Sequence, residues 1–144
     1  MKRFAALAIA LSMTLAPVLA KDRLVKLMMD GRQVDRVGGV AMLHDGLIYA
    51  DSVDLVKTFN GFVSFGGVDA TRIDIGRHVA YFSVGKAVVR LDKQRIVMPG
   101  KPFMRAGDLY VPLEFFITRI AGARVRVNPA RTQANILVNI NPVT

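Results

Sequence analysis

The side chains able to do acid–base, metal or nucleophilic chemistry are few in this chain and widely spread. His44 and His78 are its two histidines, and it has no cysteine. A histidine metal site needs further ligands at a defined spacing, such as two imidazoles one helical turn apart. His44 stands beside Asp45 in a predicted hairpin turn, and His78 follows Gly76-Arg77 in a basic loop. No metal site is expected from that pair. Without cysteine there is no disulfide, thiolate zinc site or cysteine-held iron–sulfur cluster, so stability has to come from packing. Nucleophilic catalysis requires a Ser, Thr or Cys beside a positioned base. Beyond residue 20 the serines are Ser52, Ser64 and Ser83, and none sits in G-x-S-x-G. Paired carboxylates could drive glycoside hydrolysis. Asp51 and Asp54 are close in sequence, and Glu114 occupies the matching region of a second predicted helix. Capping and the helix dipole account for acids at those places. Gly66-Gly67 lacks the spacing of a phosphate loop and fits a turn. No catalytic residue and no cofactor site is assigned. A small envelope hydrolase is the alternative, and it would require Asp51, Asp54 or Glu114 to share a concave pocket with a histidine.

The basic residues make a more suggestive pattern. In residues 86–91, Lys86 and Arg90 point one way while Ala87, Val89 and Leu91 point the other. Arg124 and Arg126 alternate in the same manner with Ala123, Val125 and Val127. Lys86, Arg90, Arg124 and Arg126 are the candidate face for an anionic ligand, with Lys93, Arg95, Lys101 and Arg105 nearby in sequence. If the two strands share a sheet, its open face is a cationic stripe suited to teichoic acid, lipid phosphate or nucleic acid. A merely solvated face produces the same alternation. No nucleic-acid motif supports that partner; Tyr81 and Phe82 beside Arg77 and His78 form the one aromatic–basic cluster.

The elements that must position these residues follow from periodicity. Residues 86–91 and 95–98 are predicted strands, and residues 103–104 and 109–111 flank Ala106-Gly107-Asp108 as a hairpin. Leu113, Phe116, Ile117, Ile120 and Ala121 then repeat at helical spacing, from Pro112 to a stop at Gly122. Strands at 123–127 and 134–140 close the segment. The earlier chain echoes this. Residues 24–28, 40–43 and 47–50 are strand-like, and Asp51 or Ser52 caps a helix with Leu55, Val56 and Phe59 inside. Asn60-Gly61 ends that helix, and strands follow at 62–65 and 71–75. An offset of 61 residues superposes Gly39 on Gly100, Gly46 on Gly107, Tyr49 on Tyr110 and Gly61 on Gly122. The expected fold class is α+β: two strand-helix-strand repeats, 21–80 and 81–144, each with a short helix packed on an antiparallel sheet.

Residues 1–20 have the form of a cleavable secretory signal. Lys2 and Arg3 precede an apolar run, Pro17 breaks it, and Val18-Leu19-Ala20 offers a small-residue cleavage site. The run is shorter than the ~20 apolar residues that span a bilayer, so no stable membrane span is expected after cleavage. Removing Lys2 and Arg3 with the leader lowers the formal charge from +9 to +7. A basic exported protein, in the periplasm, cell wall or outside the cell, meets anionic polymers and headgroups.

Gly107-Asp108-Leu109-Tyr110-Val111-Pro112-Leu113, followed by Ile120-Ala121-Gly122-Ala123-Arg124-Val125, resembles the copper amine oxidase N-terminal-like domain, also called the stalk domain. Gly107, Val111, Pro112, Leu113, Gly122, Ala123 and Val125 stand where that family's pattern has the same residues, and Thr132 and Ile136 fall near its closing strand. The resemblance covers residues 84–140, and 24–75 more weakly. Glu114 stands where an Arg often follows Pro-Leu, Val127-Asn128 replaces a Trp-Asp pair, and Ala50-Asp51 stands where Val-Pro is expected. What the resemblance implies is an exported, non-catalytic envelope module that binds a cell-wall polymer or an envelope protein. It does not imply copper, whose chemistry in the amine oxidases belongs to a separate domain. The remaining alternative is a basic binder of anionic lipid or nucleic acid.

Overall fold

The computed structural model describes residues 22–33, 41–65 and 70–138. The predicted leader, Gly39, Gly66-Gly67 and the end of the predicted closing strand lie outside the described residues. Strands make up 53% of what is described and helix 15%, so the α+β protein is mostly β. In chain order the elements are β1 (Arg23–Met29), β2 (Arg32–Gln33), β3 (Ala41–His44), β4 (Leu47–Asp51), α1 (Ser52–Thr58), β5 (Phe62–Phe65), β6 (Thr71–Ile75) and β7 (His78–Phe82). There follow β8 (Val88–Leu91), β9 (Gln94–Val97), β10 (Phe103–Arg105), β11 (Asp108–Pro112), α2 (Leu113–Phe115), a π-helical turn (Phe116–Ala121), β12 (Arg124–Val127) and β13 (Gln133–Leu137).

Two sheets form. The larger has eight strands, in the order β10-β11-β4-β3-β1-β13-β12, with β2 paired to β1; the smaller has five, in the order β5-β6-β7-β8-β9. Each draws strands from both sides of residue 80, and β7 runs straight through that position. The parallel pairing of β1 with β13 joins the beginning of the described chain to its end. The smaller sheet is antiparallel throughout, whereas the larger is mixed because of that one parallel contact.

Tight turns set the registers. Asp45 and Gly46 both have positive φ (49° and 80°), as do Ala106 and Gly107 (52° and 86°). Two such residues in succession give the hairpin turn whose twist matches the flanking strands. Alternation then sorts the faces. In β6, Thr71, Ile73 and Ile75 are buried while Arg72 and Asp74 point out. In β8, Val89 and Leu91 are buried while Arg90 is exposed.

One core lies between the sheets. Val25, Ala41, Ala50, Val111 and Ile136 of the larger sheet belong to the same buried cluster as Ile73, Phe82 and Val89 of the smaller. Leu55 and Val56 of α1 and Leu113, Phe116, Ile117 and Ile120 of the second helical segment complete it. Asp51 caps α1, its carboxylate accepting from the Val53 N–H at 2.8 Å. The second segment departs from the expected helix of residues 112–121. Pro112 is the last residue of β11, one α-turn follows, and the remainder is π. Phe115, the last residue of α2, is buried beside Phe116 and Ile117, which open the π turn. A strict helical stripe leaves position 115 outside.

Candidate functional site

The expected cationic stripe does not assemble. Arg90 lies in β8 of the smaller sheet and Lys86 in the turn before it, whereas Arg124 and Arg126 lie on β12, at the edge of the larger sheet. The condition that would have joined the four, a shared sheet, is not met. Pairing in the smaller sheet brings a different set together. Ser64 faces Arg72, Arg72 faces Tyr81, Tyr81 faces Arg90, and Arg90 faces Arg95. Residues directly opposite on neighbouring strands share a face, so this row crosses all five strands on the side away from the core.

Tyr81 holds the row upright. The Arg90 guanidinium lies 4.6 Å from the centre of its ring and that of Arg72 5.9 Å, within cation–π range. Arg72 also pairs with Asp74, at 2.8 Å and 3.0 Å to the two carboxylate oxygens. That pairing raises the arginine's already high pKa further. Alongside the row, at one end of the strands, the turns add Arg77 and Lys93, and the side chains enclose a shallow basin of about 680 Å³. Asp92 lines it too, but is engaged: it accepts from the Val79 N–H at 2.9 Å and meets His78 Nδ1 at 2.5 Å. Those two contacts hold its carboxyl below the usual carboxylate range. Phe82, the neighbour of Tyr81, is fully buried, so the expected aromatic–basic cluster splits across the sheet.

Arg72 was not picked out from sequence, and Tyr81 and Arg95 were noted without being joined to Arg90. The signal was present in two short turns. Ile75 pairs with His78 across Gly76-Arg77, and Leu91 pairs with Gln94 across Asp92-Lys93. Two-residue hairpin loops fix register, and counting outward from them aligns much of the row.

The carboxylates expected near the first helix do gather, but with another carboxylate instead of a histidine. Asp51 is almost wholly buried and shares a hydrogen bond with Asp108. Burial, then that shared bond, pushes its carboxyl up to about 7, while the bond from Val53 works the other way. Tyr110 lies opposite Asp51 in the β4–β11 pair, and burial together with the charge of Asp51 raises its phenol. His44 is elsewhere, with Nδ1 2.9 Å from Asp22 and its ring against Phe103 and Tyr49. Glu114 lines a separate cleft of about 310 Å³ with Phe115, Val125 and Arg131. Neither cleft places a histidine with Asp51, Asp54 or Glu114. Among the described residues no three His, Asp or Glu side chains gather so as to hold a metal ion. Among them, also, no helix is long and apolar enough to cross a membrane.

No family model, curated protein or solved structure matches the chain.

Proposed function

We propose that this chain is an exported, non-catalytic module of the cell envelope that binds an anionic component of that envelope on the open face of its smaller sheet. The observation that carries the reading is the cross-strand row Arg72–Tyr81–Arg90–Arg95, a line of guanidiniums braced by one aromatic ring. Export rests on the form of residues 1–20, and a net positive charge fits an anionic partner. The resemblance of residues 107–125 to the stalk domain favours an envelope module over an enzyme, with a wall polymer or an envelope protein as the expected partner.

The module is read as two repeats of one unit. Moved by 61 positions, β4 (Leu47–Asp51) falls on β11 (Asp108–Pro112), α1 falls on the second helical segment, and β6 falls within one residue of β13. The two units would then be interlocked, since β1 pairs with β13 and β4 with β11.

Sedimentation of residues 21–144 with isolated cell envelopes tests the function. The wild-type protein is expected to pellet with them at low salt and to be released as salt rises, because charge attraction is screened. The double variant Arg90→Glu, Arg95→Glu is expected to stay in the supernatant. Equal pelleting of wild type and variant would show that the face is not the site. Failure of the wild type to pellet would end the reading.

A further inference from the structure

The row of arginines is not the only unusual feature of the open face. Phe62 and Val97 are exposed to 77% and 74%. Both belong to the same face as the arginines. Phe62 pairs with Asp74, two residues along β6 from Arg72, and Val97 lies two residues along β9 from Arg95. They stand on the two edge strands, β5 and β9, so the charged centre is flanked on both sides by a large apolar side chain. Val79 and Val88 add partly buried apolar surface between them.

We infer that the anionic component is a membrane surface, with acidic phospholipid headgroups at Arg90 and Arg95 and with Phe62 and Val97 entering the headgroup boundary. The inference rests on the proposed function and names the partner of that face. Charge complementarity selects an anion. Arg72 is already paired with Asp74, whereas Arg90 and Arg95 have no carboxylate partner among the described residues. Adjacent strands are ~4.8 Å apart, so Arg90 and Arg95 can grip the free oxygens of one phosphate or of neighbouring ones, and guanidinium matches phosphate in fork geometry. Arg77 and Lys93 extend the positive field along the basin. A hydrated wall polymer uses those charges as well, but has no apolar layer for an exposed Phe and Val to enter. A bilayer surface offers both an anionic layer and an apolar one beneath it. The attachment is peripheral, through a sheet face.

Vesicle co-sedimentation with residues 21–144 tests this, using phosphatidylglycerol–phosphatidylethanolamine vesicles, pure phosphatidylcholine vesicles and purified cell wall. Binding is expected to the acidic vesicles and not to the neutral ones. Removing one arginine, Arg90→Ala or Arg95→Ala, should weaken it about fivefold, the usual worth of one basic side chain near an anionic surface. The double variant Phe62→Ser, Val97→Ser should weaken vesicle binding several-fold while leaving the thermal melt unchanged, since both side chains are mostly exposed. Vesicle binding that ignores Phe62 and Val97 would overturn the insertion. Binding to wall and not to acidic vesicles would overturn the membrane inference and leave the proposed function standing. Failure on whole envelopes, vesicles and wall together would remove both.

Discussion

Ala50 faces Val111 across the antiparallel β4–β11 pair, which joins two strands far apart in the chain. On either side of them Tyr49 faces Pro112, and Asp51 faces Tyr110. The contact sits where the larger sheet must be continuous. Cutting the chain at residue 80 would strip β4 of β11, strip β1 of β13, and sever β7. Residues 21–80 and 81–144, made separately, are therefore expected to show no cooperative thermal transition. A mixture of the two should regain one. A sharp melt from either piece alone, followed by circular dichroism, would contradict the interlocked arrangement.

Local periodicity found most of the elements, missed β7 where His78 reads as part of a basic loop, and failed where partners are distant. Strands, turns and caps such as Asp51 follow from neighbours within a few residues, so the segments at 62–65, 71–75 and 109–111 were legible. Which strands share a sheet is a long-range matter. Nothing local to Arg124 or Arg90 says that β12 joins β13 and β1 while β8 joins β7 and β9. The basic alternation was therefore visible, yet its assembly into one stripe was not. The π turn was hidden for a related reason. Packing between two sheets demanded that Phe115, Phe116 and Ile117 all be buried, and helical periodicity alone does not express that demand.

Gly61 connects α1 to β5 at a place where the chain has no room. A Cβ added there would meet the Asp74 carbonyl oxygen and the Ile75 side chain, the latter at 2.7 Å. The carbonyl belongs to β6 and cannot move without disturbing the sheet. Gly61→Ala is expected to destabilise the protein by roughly 1–3 kcal/mol, the usual cost of overpacking. A urea titration with an unchanged midpoint would show that the strand yields more easily than a paired strand should.

Phe116 opens the π turn and is fully buried between the sheets. Phe116→Ala removes a large apolar side chain from a core built by both sheets and both helical segments. The expected loss is about 3–5 kcal/mol. Phe62→Ala, at the exposed edge of the smaller sheet, should cost well under 1 kcal/mol, as surface substitutions usually do. Equal losses in the two variants would contradict the division between core and open face.

Asp51 makes stability depend on pH in an unusual direction. Its carboxyl is pushed from 3.8 to about 7 in the folded protein, so folding favours the protonated form. That contribution is fully present below the unfolded value and is lost as pH rises from about 4 through about 7. The thermal midpoint is therefore expected to be higher at pH 5 than at pH 8, by an amount on the order of a few kcal/mol in stability. Asp92, whose carboxyl is held low, contributes in the opposite sense, but its contribution fades below the ordinary carboxylate value, outside this window. Asp51→Asn keeps an oxygen to accept from the Val53 N–H and a donor for Asp108, and removes the titrating proton. The variant should lose the part of the pH dependence that belongs to Asp51 and its interaction with Asp108, while titrating groups distant from that carboxyl contribute alike to both proteins. Parallel pH profiles for wild type and variant would show that Asp51 keeps its charge on folding, and would detach the buried carboxyl pair from the stability of the β4–β11 contact.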